Sequence, residues 1–222
     1  ALLDAQPYDT ITFDPAVFPT NAPATIFLFS DLPQLTQGHL TIDSSNAGVI
    51  LNGGNITTSE YLHGIFISSD CNIVRGLQIV GFYGAGIGLH AGAQYNIIGG
   101  DRRIGKGPLG QGNLLSGNVF GAGLWDEATS HNTVQGNSIG ITLDGTATWG
   151  NSRDGVHSNG AIQNLFMDNV IGGSGNAGIY LCCVENGNNT VSNNWIGIGP
   201  GGSSLGNDLA GVLIDRTHYN VV

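Results

Sequence analysis

Asp126, Glu127, Asp154 and His157 are the residues of this sequence that could do acid/base chemistry, of the kind that acts on a glycosidic bond through paired carboxylates and an imidazole. A second set, Phe66, His90, Trp125, His157 and Tyr180, offers aromatic faces on which the apolar C–H faces of sugars can stack. Ser68, Glu127 and Asn159 would flank that set as hydrogen-bonding partners for hydroxyls. The plainer readings are a solvated face for the carboxylates, and aromatics that favour strands and pack under long loops. Either chemistry requires residues far apart in sequence to be brought together by a repeating scaffold.

Such a scaffold is written in the chain from about residue 64 onward as two alternating phrases. The first is glycine followed by alternating aliphatic positions: Gly64-Ile65-Phe66-Ile67, Gly86-Ile87-Gly88-Leu89, Gly123-Leu124-Trp125, Gly155-Val156-His157, Gly178-Ile179-Tyr180-Leu181 and Gly211-Val212-Leu213-Ile214. The second follows about ten residues later and begins with asparagine: Asn72, Asn96, Asn132, Asn164, Asn189 and Asn220. A third asparagine phrase opens at Asn113, Asn137, Asn169 and Asn194. Three short alternating runs per repeat predict an all-β fold, a right-handed parallel β-helix with three strands per turn. Asparagine and glycine would supply left-handed corners, and the aligned asparagines would hydrogen-bond along the axis.

Registering the first phrases on their glycines puts Phe66, Gly88, Trp125, His157, Tyr180 and Leu213 in one outward column. The next outward column reads Ser68, His90, Glu127, Asn159, Cys182 and Asp215. Asp126 then falls where other turns place Ile67, Leu89 and Leu181, as an inward residue or a bulge. Asp154 precedes Gly155 on the adjacent turn, so the four acid/base candidates would lie within about two strand spacings of roughly 4.8 Å. Longer segments at residues 99–112, 141–150 and 198–206 are expected to project as loops from one side of the solenoid. Residues 1–45, with prolines at 7, 15, 19, 23 and 33, read as an N-terminal cap with first irregular turns, and 46–222 as the repeats. The last phrase stops at Val222, and the natural protein is expected to continue as part of a larger multidomain chain.

Composition narrows the partners. A net charge of −10 with six Lys and Arg argues against nucleic acid and anionic membranes, and against polyanionic glycans unless Arg102, Arg103 and Lys106 form a local landing site. No apolar run is long enough to insert in a membrane. Cys71, Cys182 and Cys183 read as buried thiols, since neighbouring cysteines bridge only with strain. No His or Cys spacing matches a zinc motif and no acidic cluster suits calcium, so no cofactor or metal is expected.

The segments DTITFDPAVF, LTIDSSNAGVILNGG, NIIGGDRRIGKGPLGQGNLLSGN and NTVQGNSIGITLDGTATWGN resemble secreted bacterial right-handed β-helix repeat proteins of the pectate-lyase-like superfamily. The resemblance covers nearly the whole chain and implies the fold and an extracellular or cell-surface location. The Asn-Thr-Asp, Asp-Asp, Gly-His-Gly and Arg-Ile-Lys motifs of polygalacturonase-like hydrolases are absent, as is the Asp-Pro-His-Glu motif of alginate epimerases. The expected function is therefore carbohydrate recognition, adhesion or a structural stalk. The alternative is a polysaccharide lyase or glycoside hydrolase acting through Asp126, Glu127, Asp154 and His157.

Overall fold

Runs of two to six residues cannot bury an apolar face alone, so each lies edge to edge with its counterpart one turn away. A computed structural model describes residues 1–57 and 62–222, and among these twenty strands, numbered in chain order, build three parallel sheets of a right-handed β-helix. Sheet A stacks β1 (Thr10–Thr12), β3 (Thr41–Asp43), β6 (Ile73–Arg75), β9 (Ile97–Gly99), β12 (Thr133–Gln135), β15 (Leu165–Met167) and β18 (Thr190–Ser192). Sheet B stacks β2 (Ala24–Phe27), β4 (Val49–Asn52), β7 (Leu77–Val80), β10 (Leu114–Ser116), β13 (Ser138–Ile139), β16 (Val170–Ile171) and β19 (Trp195–Ile196). Sheet C stacks β5 (Ile65–Ile67), β8 (Ala85–Leu89), β11 (Phe120–Trp125), β14 (Val156–Asn159), β17 (Ala177–Cys182) and β20 (Ala210–Asp215).

Inward positions form aliphatic files along the axis. In sheet A, Val74, Ile98, Val134 and Phe166 are in register and fully buried. The turn that carries Phe166, the largest of these, places the small Ser158 where neighbouring turns of sheet C have Leu124 and Leu181, which keeps the summed core volume nearly even. The N-terminal end is covered by Leu2, Ile11, Phe13, Phe18, Ile26 and Leu28, half-buried against the core. Residues 1–45 are not all irregular: β1 and β2 already sit in sheets A and B, and Leu35 bridges Ile67 in place of a first sheet C strand.

The corner asparagines do hydrogen-bond along the axis. Between sheets C and A, the Oδ1 atoms of Asn96, Asn132, Asn164, Asn189 and Asn220 each accept the backbone N–H and side-chain NH2 of the preceding ladder asparagine, at 2.8–3.3 Å. Asn113, Asn137, Asn169 and Asn194 repeat the pattern between sheets A and B. The left-handed conformation is taken by Asn188 and Asn193 but not by the ladder asparagines themselves. In the first ladder the residue before each asparagine takes it, namely Cys71, Tyr95, His131, Gln163, Asn188 and Tyr219. Each ladder asparagine itself stays outside the left-handed region, and its side chain reaches the next turn.

The three long loops do not share one side. Residues 99–112 leave the corner between sheets A and B, whereas 141–150 and 198–206 both leave the corner between sheets B and C, where Ser203 Oγ donates to the Gly145 carbonyl at 3.4 Å. Trp149 lies against Gly117 at the end of β10, so it does not reach the outer face of sheet C.

Candidate ligand-binding groove

The register of sheet C decides which side chains meet. Phe120 pairs with Ala85 and Gly123 with Gly88, so the glycine phrase of this turn is Gly121-Ala122-Gly123-Leu124, two residues earlier than a reading from Gly123. A two-residue slip keeps every side chain on its face and moves it one column along. The outward column is therefore Phe66, Gly88, Gly123, His157, Tyr180 and Leu213. Trp125 stands in the next one with Asn159, Cys182 and Asp215. Leu124, not Asp126, fills the inward position beside Leu89. Asp126 is neither inward nor in a strand bulge: it takes the left-handed corner at φ 70°, in line with Ala91, Gly160, Cys183 and Arg216.

The glycines at 88 and 123 are gaps that rings fill. A Cβ on Gly88 would meet the His63 ring at 2.8 Å, and one on Gly123 would collide with the six-membered ring of Trp125. Trp125 thus overlies the first column although its backbone belongs to the second. The result is a file of rings from β5 to β17, four strand spacings or about 19 Å long. Centroids are 4.9 Å apart for Phe66 and His90, 4.3 Å for His90 and Trp125, which stack within 17° of parallel, 5.9 Å for Trp125 and His157, and 5.5 Å for His157 and Tyr180. Phe120 closes the gap behind His157 at 4.6 Å, and the Arg153 guanidinium lies 5.5 Å over its ring.

Hydrogen bonds set the tautomers of three imidazoles. The Ala85 N–H donates to His63 Nδ1 at 2.9 Å, which leaves the His63 proton on Nε2, facing His90 Nε2 at 3.2 Å. Burial pushes His63 down to about 4, with the neighbouring His90 adding to the effect; burial lowers His90 too, against the pull of Asp126. His157 Nδ1 lies 2.8 Å from Asp154 Oδ2. Asp154 is fully buried, and its Oδ1 accepts from Asn176 Nδ2 at 2.7 Å and from the Ala177 N–H at 3.1 Å. With three donors around it this carboxylate fixes the imidazole orientation and leaves Nε2 as the free nitrogen. Tyr180 Oη donates to Asp215 Oδ2 at 3.1 Å, and burial together with that carboxylate raises the phenol, keeping it protonated.

Two adjoining clefts share Trp125, Asn159 and Cys183. One, about 420 Å³, is walled by His63, His90, Phe120, Arg153, His157 and Tyr180; the other, about 590 Å³, carries Asp126, Glu127 and Glu185. The four acid/base candidates are therefore only partly united. Asp154 and His157 are in contact, but Asp126 and Glu127 lie across Trp125 in the second cleft. The Asp126 carboxylate is also occupied, accepting from the Ala91 N–H and from the N–H and hydroxyl of Thr129. Phe66, Ser68 and Leu213 line neither cleft, and Phe66 joins the ring file through its edge contacts with His63 and His90.

Cys182 and Cys183 form a disulfide, which corrects the reading of both as buried thiols: Cys182 is buried, while the left-handed backbone of Cys183 turns its exposed side chain toward its neighbour. Arg102 and Arg103 line a separate cleft with Asp101 and Asp168. Arg102 is spent on the carbonyls of Gly136 and Asn137, and Arg103 pairs with Asp101. Among the described residues no group of three or more His, Cys, Asp and Glu side chains is placed to hold a metal ion.

No family model, no curated protein and no solved structure matches this chain. Sequence reasoning missed His63, Phe120, Arg153 and the disulfide as parts of the groove. A signal existed for two of them: His63, Phe120 and Asp154 each stand immediately before the glycine that opens a sheet C strand, and one column holds all three.

Proposed function

We propose that the outer face of sheet C is a carbohydrate-recognition groove on an extracellular β-helix module, in an adhesin-like role that suits the pectate-lyase-like resemblance. The observation that carries this reading is the file of rings from Phe66 to Tyr180 along the axis, flanked by the polar groups of Asn159, Arg153 and His157. An extended glycan needs apolar platforms at intervals along a line together with hydrogen-bonding groups beside them, and this face supplies both. The net charge of −10 favours neutral chains over polyanions and disfavours nucleic acid. A disulfide in the groove wall suits an oxidising, extracellular compartment. The test is retention on insoluble cellulose, chitin and xylan and on soluble neutral glycans. The parent chain should be held by at least one of them and Tyr180→Ala should lose that retention; absence of retention throughout would leave a structural stalk.

A second reading rests on the Asp154–His157 contact. An imidazole oriented by a buried carboxylate is equipped for proton transfer, which would make this a lyase or hydrolase of polysaccharides acting through His157. A glycosidase that pairs the Asp154 and Asp126 carboxylates is not favoured, because Asp154 is sealed from solvent and Asp126 caps a corner. Scoring new reducing and unsaturated ends on the same panel separates the readings: products that vanish in His157→Gln would replace binding by catalysis.

A further inference from the structure

The Cys182–Cys183 disulfide stands at the saddle where the two clefts meet, with Cys183 lining both. It borders the ring file on two sides. Trp125 and Asn159 line the same two clefts as Cys183. On the far side, Arg216 Nη2 lies 3.7 Å from Cys183 Sγ while its Nε donates to Asp215 Oδ2 at 3.1 Å, the same oxygen that accepts the Tyr180 hydroxyl. Cys183, Arg216, Asp215 and Tyr180 thus form one connected chain from the sulfur to an aromatic platform.

We propose that the Cys182–Cys183 pair is a redox-sensitive wall of this groove, that the disulfide form is the one that takes a glycan, and that reduction to the dithiol reshapes the groove at Trp125 and Tyr180. A phosphine reductant breaks the S–S bond, adding two electrons and two protons to give two thiols, and is itself converted to the phosphine oxide with oxygen from water. Two thiols cannot stay at bonding distance, so the sulfurs part to van der Waals contact. Cys182 is buried and in a strand, so Cys183, exposed at the corner, is the one that moves, into the space shared with Trp125. A polarizable apolar edge beside the aromatic platform is lost, and the Arg216 contact that leads to Tyr180 goes with it. The glycan half of the proposal rests on the function proposed above; the groove half does not.

The experiment uses the full chain in a Trp149→Phe, Trp195→Phe background, which leaves Trp125 as its sole tryptophan. Thiol titration should find one free thiol, Cys71, before tris(2-carboxyethyl)phosphine and three after it. Reduction should change Trp125 emission and its quenching by acrylamide, and should weaken binding of whichever of cellohexaose, chitohexaose and xylohexaose the oxidised chain holds by roughly three- to tenfold, the worth of one aromatic or sulfur contact. A Cys182→Ser, Cys183→Ser variant should bind weakly in both conditions and ignore the phosphine, whereas Cys71→Ala should respond as the parent does. Three free thiols before reduction, or unchanged Trp125 fluorescence after it, overturns the inference, as does a hexasaccharide affinity that reduction leaves alone. A Trp125 response with none of the three hexasaccharides bound supports the redox-sensitive wall and counts against the glycan reading alone.

Discussion

Acidification from pH 7.5 to pH 4 should destabilise this protein, most of all through His63. Its Nδ1 accepts the Ala85 N–H and its Nε2 faces His90, so a second proton would set donor against donor at Nδ1 in a buried place. The folded ring therefore titrates near 4 instead of 6.5. Above pH 6.5 the ring is neutral folded or unfolded, and the contribution is fully present. Below it the unfolded chain takes up a proton that the folded chain refuses until about pH 4, so stability falls as pH falls across that window. A gap of about 2.5 pH units at about 1.4 kcal/mol each sets a ceiling near 3.5 kcal/mol, and partial exposure of the ring brings the expectation to about 2–3 kcal/mol. The assay is urea unfolding at intervals across the window for the parent and for His63→Gln, whose amide oxygen can still accept from Ala85 but does not titrate. The parent should lose about 2–3 kcal/mol more than the variant on acidification. Parallel pH profiles, or a parent that gains stability as pH falls, would refute the reasoning.

Two further perturbations follow from the scaffold. Asn137→Ala removes a fully buried side chain that joins Asn113, Asn169 and the Ile98 carbonyl, and should cost about 3–5 kcal/mol in urea unfolding, against a change within about 0.5 kcal/mol for exposed Asn21→Ala. Gly123→Ala should cost about 1–3 kcal/mol and shift Trp125 emission, because the new methyl occupies the space of the indole; an unchanged spectrum would mean that the ring does not lie over the glycine.

Strand number, parallel stacking and the asparagine ladders were legible because each follows from a period: alternation gives the faces, and the recurring asparagines give the corners. The register of β11 was not. Gly121 and Gly123 both fit the phrase, and only pairing with β8 chooses Gly121, since Ala122 and Leu124 then continue the files of Ile87 and Leu89. The correct choice moved Trp125 one column and took Asp126 out of the strand, yet the ring file survived, because a glycine under the indole returned Trp125 to the line. Contacts such as Asp154 with His157 lie at a corner, where alternation no longer says which way a side chain points. The disulfide was hidden for a similar reason, since it depends on one left-handed residue, Cys183, that periodicity does not mark.

The central claim is that the outer face of sheet C is the working surface, and alanine mapping by face tests it most directly. Trp125→Ala removes the ring file's central platform, whereas Trp195→Ala and Trp149→Ala remove exposed tryptophans from sheet B and from the corner between sheets B and C. Equilibrium binding would be measured for all three and the parent on the polysaccharide that best retains the parent. Trp125→Ala should weaken binding by at least about threefold and the other two should leave it unchanged. Binding that survives Trp125→Ala but falls in Trp195→Ala or Trp149→Ala would contradict the assignment of this face.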